Sequence, residues 1–370
     1  MGMRKVLTLL FFLGCCGLGA ELLLPNETPA AVTGICSNCH TMHNSQQGLP
    51  VAYTLDGSGQ PILRETPFPQ LLKTDCVGCH TNAGPETIVL EGTTRIPIVY
   101  NLTQPTYPPD GSSASTLAGG NFHWLSQGDS FGHNVHGITG PDPRFSFAPG
   151  GKSRPEGCMH CHGTLATPQS GCQGCHVPHH HAGGPGEVAK RQAGWYRFLG
   201  SVMQAADAKP NPPPEGVIGI EDPDWEQNPA ADRHNTYQGH GGGYVNYLES
   251  GSISQKCAGC HGIFHAGTAA DSAWIRHPVD HTIPDTGEFA DFTLYNPMVP
   301  VARPGVEAID ANFSAVDHNS DMVSCVSCHR PHGSPYPALL RWGYRDWPGT
   351  DSHTGEAAFN GCAVCHTAKD

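Results

Sequence analysis

The sequence predicts a chain that is mostly coil, with short α-helices and very few strands. Three observations predict it. Gly and Pro together make up 79 of 370 residues, well above average usage. Hydrophobic content is 38% and charged content 14%, too little patterned apolar sequence for a conventional core of this length. The motif Cys-x-x-Cys-His occurs seven times.

The motifs are CSNCH (Cys36, Cys39, His40), CVGCH (Cys76, Cys79, His80), CMHCH (Cys158, Cys161, His162) and CQGCH (Cys172, Cys175, His176). CAGCH (Cys257, Cys260, His261), CVSCH (Cys325, Cys328, His329) and CAVCH (Cys362, Cys365, His366) complete the set. Chance would supply ~0.04 copies at this Cys and His content. The spacing has a chemical reason. Two thiols three residues apart on a tight turn can each form a thioether with one vinyl group of a haem, and the adjoining imidazole then meets the iron as its proximal ligand. Zinc sites and disulfides also use Cys-x-x-Cys in exported proteins, but neither calls for a histidine directly after every second cysteine. The expected cofactors are therefore seven covalent c-type haems with their iron. Porphyrin would replace much of the missing apolar core, one haem per roughly 50 residues. The expected fold is polypeptide wrapped around closely spaced haems.

Residues 1–20, MGMRKVLTLLFFLGCCGLGA, have a short basic start, an apolar stretch and a small-residue end. They read as a secretory signal peptide, which suits covalent haem attachment outside the cytoplasm. Cys15 and Cys16, the two cysteines outside the motifs, lie in it; their acylation is a weaker alternative. No later apolar run is long enough for a transmembrane segment. Residues 21–370 are expected to form a single heptahaem domain. Net charge is −13 and basic runs are absent, which argues against nucleic acid and anionic membrane surfaces as partners.

Successive motifs start 40, 82, 14, 85, 68 and 37 residues apart, so no single unit repeats. The 14-residue gap between Cys158 and Cys172 makes their two haems close neighbours. The segment from Glu187 to Ala206 reads as a helix, with Val188, Trp195, Leu199, Val202 and Met203 near one face. Pro210–Pro214, Gly239–Gly243 and Tyr107–Gly120 read as loops.

Sixteen histidines lie outside the proximal positions, against five methionines beyond the leader. His/His ligation throughout is therefore expected. Eight candidates for distal iron ligands stand out, one more than the haems need. His43, His179, His265 and His332 follow just after a motif and can reach a neighbouring haem but not their own. His133, His136, His277 and His318 stand in isolated contexts. His180, His181, His234, His240, His281 and His353 read as solvated or hydrogen-bonded side chains.

CSNCHTMHNS at Cys36, AGGNFHW with the following GHN between Ala118 and Asn134, CHVPH at Cys175, GWYRFLG from Gly194, RHP at Arg276 and CVSCHRPHG at Cys325 form a set of local signatures. With them the chain resembles the outer-surface multihaem cytochromes of metal-reducing bacteria, of the OmcS type. The resemblance runs from the first motif to the C-terminus. It implies little regular structure around a continuous haem chain, and a His43 that ligates the haem at Cys325 and Cys328 of an adjacent copy. That type carries six haems, so the additional motif of the Cys158/Cys172 pair leaves haem order and ligands open there.

Three functions fit the haem chemistry. The first is an electron conduit on the cell exterior, polymerised with other copies of itself and exchanging electrons with redox partner cytochromes and external acceptors. The second is a monomeric periplasmic or outer-surface shuttle. The third is a multihaem reductase, which needs an iron with an open position; every motif ends in histidine and candidate second ligands outnumber the haems, so an enzyme is the least expected.

Overall fold

The computed structural model describes residues 32, 34–56, 58, 60–107, 111–145, 148–150, 165–168, 171–178, 180, 195–200, 216–241, 251–265, 277–305, 314–344 and 359–368. Over these residues the chain is mostly coil, with short helices and short strands, as its sequence predicts.

The described α-helices, and two of the 3-10 turns, sit on the motifs. Cys36–Asn38 and Gly171–Gly174 are 3-10 turns; α1 is Cys76–Cys79, α2 Ile253–His265, α3 Cys325–Cys328 and α4 Cys362–Cys365. Of the described α-helices only α2 exceeds four residues, and it breaks at His261, whose φ of −107° and ψ of 39° are not helical. The side chain of Asp75 caps α1 by accepting from Gly78 N, while Ser324 and Ser327 form a reciprocal capping box on α3.

The strands are two to six residues long. β1 (Tyr53–Leu55) pairs antiparallel with β2 (Pro61–Leu63). β3 (Thr81–Asn82) lies parallel to β6 (Tyr100–Asn101), and β4 (Ile88–Glu91) with β5 (Thr94–Pro97) forms a hairpin. The largest sheet has six strands in the order β10-β12-β11-β9-β8-β7. They are β7 (Trp195–Gly200), β8 (Gly216–Ile220), β9 (Thr236–Gln238), β10 (His281–Thr282), β11 (Ala302–Arg303) and β12 (Met322–Val323). All neighbours in it are antiparallel except β9 and β11.

β7 corrects the helix expected from Glu187 to Ala206. Within the described residues the segment WYRFLG is a strand, and the rest of that span lies outside them. Aromatic residues suit a pleated surface, and the sheet offers Tyr196 what a helix would not. Its ring stacks on Tyr237 at 5.2 Å, and its hydroxyl donates to the carbonyls of Ile220 and Thr236. Gly219 makes this possible, because a Cβ there would lie 2.1 Å from the Thr236 carbonyl and 2.3 Å from the Tyr196 ring. Tertiary packing overrides the apparent helical period.

Two apolar clusters hold the C-terminal half, and both abut motif residues. One joins Ile283, Phe292, Tyr295, Val299, Val301, Val316, Trp342 and Val364, with Cys328, Cys362 and Cys365 packed against it. The other joins Tyr196, Val217, Tyr237, Ile253, Ala302 and Val326. No helix among the described residues is long and apolar enough to cross a membrane.

Candidate haem-binding centres

In the described motifs one helical turn does the local work. His40 N donates to Cys36 O at 2.8 Å, His80 N to Cys76 O at 2.9 Å and His176 N to Cys172 O at 3.0 Å. His329 N to Cys325 O at 3.0 Å and His366 N to Cys362 O at 2.9 Å repeat the bond. This turn carries both thiols and ends at the histidine, whose backbone leaves the helical region in α2, α3 and α4. The twelve described motif cysteines are free thiols.

The described turns are neighbours in series. Cys39 lies within electrostatic reach of Cys79. The thiols of Cys76 and Cys172 hydrogen-bond to each other, as do those of Cys257 and Cys325. Cys175 is near Cys257, and Cys328 is near Cys362 and Cys365. The six described motifs thus follow one another from Cys36 to Cys362 in chain order. Burial pushes the Cys79, Cys328 and Cys365 thiols up to about 12.

Across from four motif histidines stands a second imidazole. His80 faces His180 with ring centroids 6.4 Å apart, His176 faces His332 at 5.9 Å, His261 faces His133 at 6.0 Å and His366 faces His277 at 6.3 Å. Two imidazoles bound through Nε2 to opposite sides of one iron, at metal–nitrogen bonds of about 2.0 Å, have centroids about 6 Å apart. The residues fit the group.

The other ring nitrogen supports this orientation. A histidine that donates Nδ1–H to a carbonyl presents the Nε2 lone pair to a metal. His80 donates to Pro97 O at 2.7 Å, His133 to Pro331 O at 2.5 Å, His261 to Pro149 O at 2.7 Å and His176 to Phe198 O at 3.3 Å. His329 donates to Ala338 O at 2.8 Å and His277 to Pro278 O at 2.9 Å, while His366 Nδ1 lies 3.0 Å from Glu288 Oε2. Burial lowers His176 to about 4 and His332 to about 3, and lowers His80 and His133 as well. These rings are neutral at pH 7, the form that can ligate iron.

The remaining expected ligands divide. His43 is exposed, donates Nδ1–H to Phe68 O at 3.1 Å and sits at φ 54°. Its neighbour Asn44 fixes this turn. Asn44 is 5% exposed; its amide donates to Arg64 O and Thr66 O, and its oxygen accepts from Val51 N and Ala52 N. His318 is turned the other way, with Nε2 on Phe289 O at 3.0 Å, so the nitrogen the paired rings turn inward is taken by backbone. His136 is exposed beside Gly171 of the Cys172 turn and faces no described ring. The backbone of His265 ends α2. Cys158, Cys161, His162 and His179 lie outside the described residues.

Two histidines were passed over in the sequence. His180, read as a solvated side chain, is the ring opposite His80. His123 shares the carbonyl-anchored geometry, with Nδ1 on Asn101 O at 2.8 Å. A signal for it existed in the NFH run, since Asn121 caps that turn by accepting from His123 N.

Around α3 the chain buries two cations. Arg330 and Arg341 are 3% and 1% exposed. Arg341 donates Nε to Val326 O at 2.6 Å, and Arg330 donates NH1 to Leu117 O at 2.9 Å and Ala118 O at 3.0 Å. Burial, with the charge of Arg330, lowers Arg341 to about 10, so it stays charged at neutral pH.

Comparison with known proteins finds multihaem cytochromes. The family model "Doubled CXXCH motif" matches residues 318–370, covering the Cys325 and Cys362 motifs. C-type cytochrome OmcS of Geobacter sulfurreducens is 22% identical over 376 residues, covering 83% of this chain and 78% of that protein. The structure titled "Outer Membrane Cytochrome S Filament from Geobacter Sulfurreducens" superposes with a TM-score of 0.51 at 19% identity, covering 91% of this chain and 94% of that one. The cofactor is covalent c-type haem with its iron, and the chain is similar in sequence to, and shares its fold with, the OmcS type of multihaem cytochrome.

Proposed function

We propose that this chain is an extracellular electron conduit: seven covalent haems in a row, each iron held by two histidines, in copies that join head to tail. The observation that carries the reading is the series of neighbouring attachment turns, from Cys39–Cys79 to Cys328–Cys362, among the described motifs. Electron exchange falls steeply with distance, so adjoining attachment turns are what a conduit requires. The haem supplies reversible one-electron chemistry at iron. The chain's own residues hold it, saturate the iron and keep the rings neutral.

In this reading His180, His332, His133 and His277 are the second ligands at the haems of Cys76, Cys172, Cys257 and Cys362. Saturated irons leave no position for a substrate, which favours a carrier over a reductase.

His329 is one of the described motif histidines outside those four pairs. It is exposed, and among the described residues no imidazole faces it at the paired spacing. His43 is the exposed, carbonyl-anchored imidazole without such a partner. A bond from His43 of one copy to the iron beside His329 of the next is directional and does not close on itself, so repetition gives a filament. Export by residues 1–20 would place it on the cell exterior, to meet redox partner cytochromes and external acceptors.

The test is electron microscopy of the secreted protein beside a His43→Ala variant. Wild-type filaments, and a haem-loaded variant that stays monomeric with one iron short of a ligand, are the expected result. Filaments of normal length from the variant would rule out the role of His43. A monomeric wild type would leave a shuttle.

A further inference from the structure

We infer that Arg330 and Arg341 are a pair of buried cations that hold the haem at Cys325, Cys328 and His329 at a higher reduction potential than it would otherwise have. The inference rests on the reading of that motif as a haem site.

The two side chains flank the motif on adjoining stretches of chain. Arg330 directly follows His329, and its N donates to Leu339 O; Arg341 N donates to Cys328 O and its guanidinium to Val326 O, inside the motif itself. His329 and Leu340 form a bridge between the two stretches. Both guanidinium groups are almost fully buried, and their hydrogen bonds go to backbone carbonyls and, from Arg330 Nε, to the Tyr107 hydroxyl at 3.2 Å. No carboxylate of a described residue lies within ion-pair distance of either one. Glu226, buried at 2% exposure and accepting from Asn235 N at 2.8 Å, is the carboxylate within their electrostatic reach. Two cations therefore face one carboxylate that burial pushes toward its neutral form.

Such an arrangement is costly unless something compensates it. Carbonyl dipoles do part of this, and the propionates of the adjoining haem are of the right chemistry for the rest. The consequence for the iron has a definite sign. Oxidised haem iron carries one more positive charge than reduced iron. Nearby buried cations disfavour the oxidised form, in a region where water screens little. Taking up one electron is thereby favoured and the potential rises. In an assembly joined through His329, the junction haem would be where an electron rests longest.

The test uses the haem-loaded full chain, with Arg330→Gln, Arg341→Gln and the corresponding Lys variants. Intact mass gives the haem count, and an optical redox titration gives the midpoints. We expect the Gln variants to keep all haems while one component of the titration moves to lower potential. Lys variants, which retain the charge, should titrate as wild type. Gln variants with a full haem count and unshifted midpoints would overturn the role of the arginines without touching the haem reading. Loss of haem from wild type would sink the haem reading instead. If the Gln variants do not hold their haems, the Lys variants decide: unchanged midpoints support the charge, and a fall overturns it.

Discussion

His176 and His332 face each other with ring centroids 5.9 Å apart, although 156 residues separate them in the chain. His332 belongs to the CHRPH stretch that follows another motif, and its backbone N is fixed by Gly119 O at 2.7 Å. One motif's trailing histidine thus stands opposite another motif's proximal histidine.

The first prediction follows from that pair. His332→Ala should leave every haem attached, since thioethers hold them, but convert one iron to high spin. His318→Ala should leave all irons low-spin, because its Nε2 is already engaged by Phe289 O. Electron paramagnetic resonance of the two oxidised variants separates the cases. A high-spin signal in the His318 variant, and none in the His332 variant, would reverse the assignment.

The second concerns the backbone behind His332. Gly120 has φ +88°, and a Cβ there would sit 2.1 Å from Gly333 O. Gly120→Ala must displace the segment that carries His332 or the one that carries His123. We expect a loss of about 2–4 kcal/mol by this combination of strain and overpacking, read as a lower thermal midpoint at unchanged haem content.

How much of this was legible follows from what each feature depends on. The attachment turns are local, so Cys-x-x-Cys-His spells out both thiols, the proximal histidine and the short helix. The series of contacts between turns and the pairing of rings depend on chain separated by tens to hundreds of residues, and no local period records them. His179, His180 and His181 stand in one run that sequence alone does not resolve, and the described ring of the three, His180, lies opposite His80. The strand at Trp195–Gly200 was missed because its apolar residues also satisfy a helical count, and Tyr237, 41 residues after Tyr196, decides the matter. Arg330 and Arg341 carry no sequence signal of burial at all.

The third prediction isolates the placement of His43. Asn44→Ala removes four hydrogen bonds to backbone groups that hold His43 at positive φ. At about 1 kcal/mol each, partly recovered by water, the loop should lose about 2–3 kcal/mol. Hydrogen exchange should rise across residues 43–52, and filament yield should fall with haem content intact. Unchanged exchange would show that another contact orients His43.

The fourth is a count. Intact mass of the purified protein should exceed that of its polypeptide by seven haems, including one at Cys158 and Cys161. Six haems would mean that this additional motif is not loaded, and five or fewer would refute the reading of the motifs.

The account as a whole is tested most directly by an experimental density map of the haem-loaded, secreted protein. It predicts iron midway between His80 and His180, His176 and His332, His261 and His133, and His366 and His277, with haems adjoining in one row from the Cys36 motif to the Cys362 motif. It also predicts that the iron beside His329 is met by His43 of a second copy. A gap in the row wide enough to stop electron exchange, or an iron with an open coordination position facing a substrate-sized cavity, would contradict it.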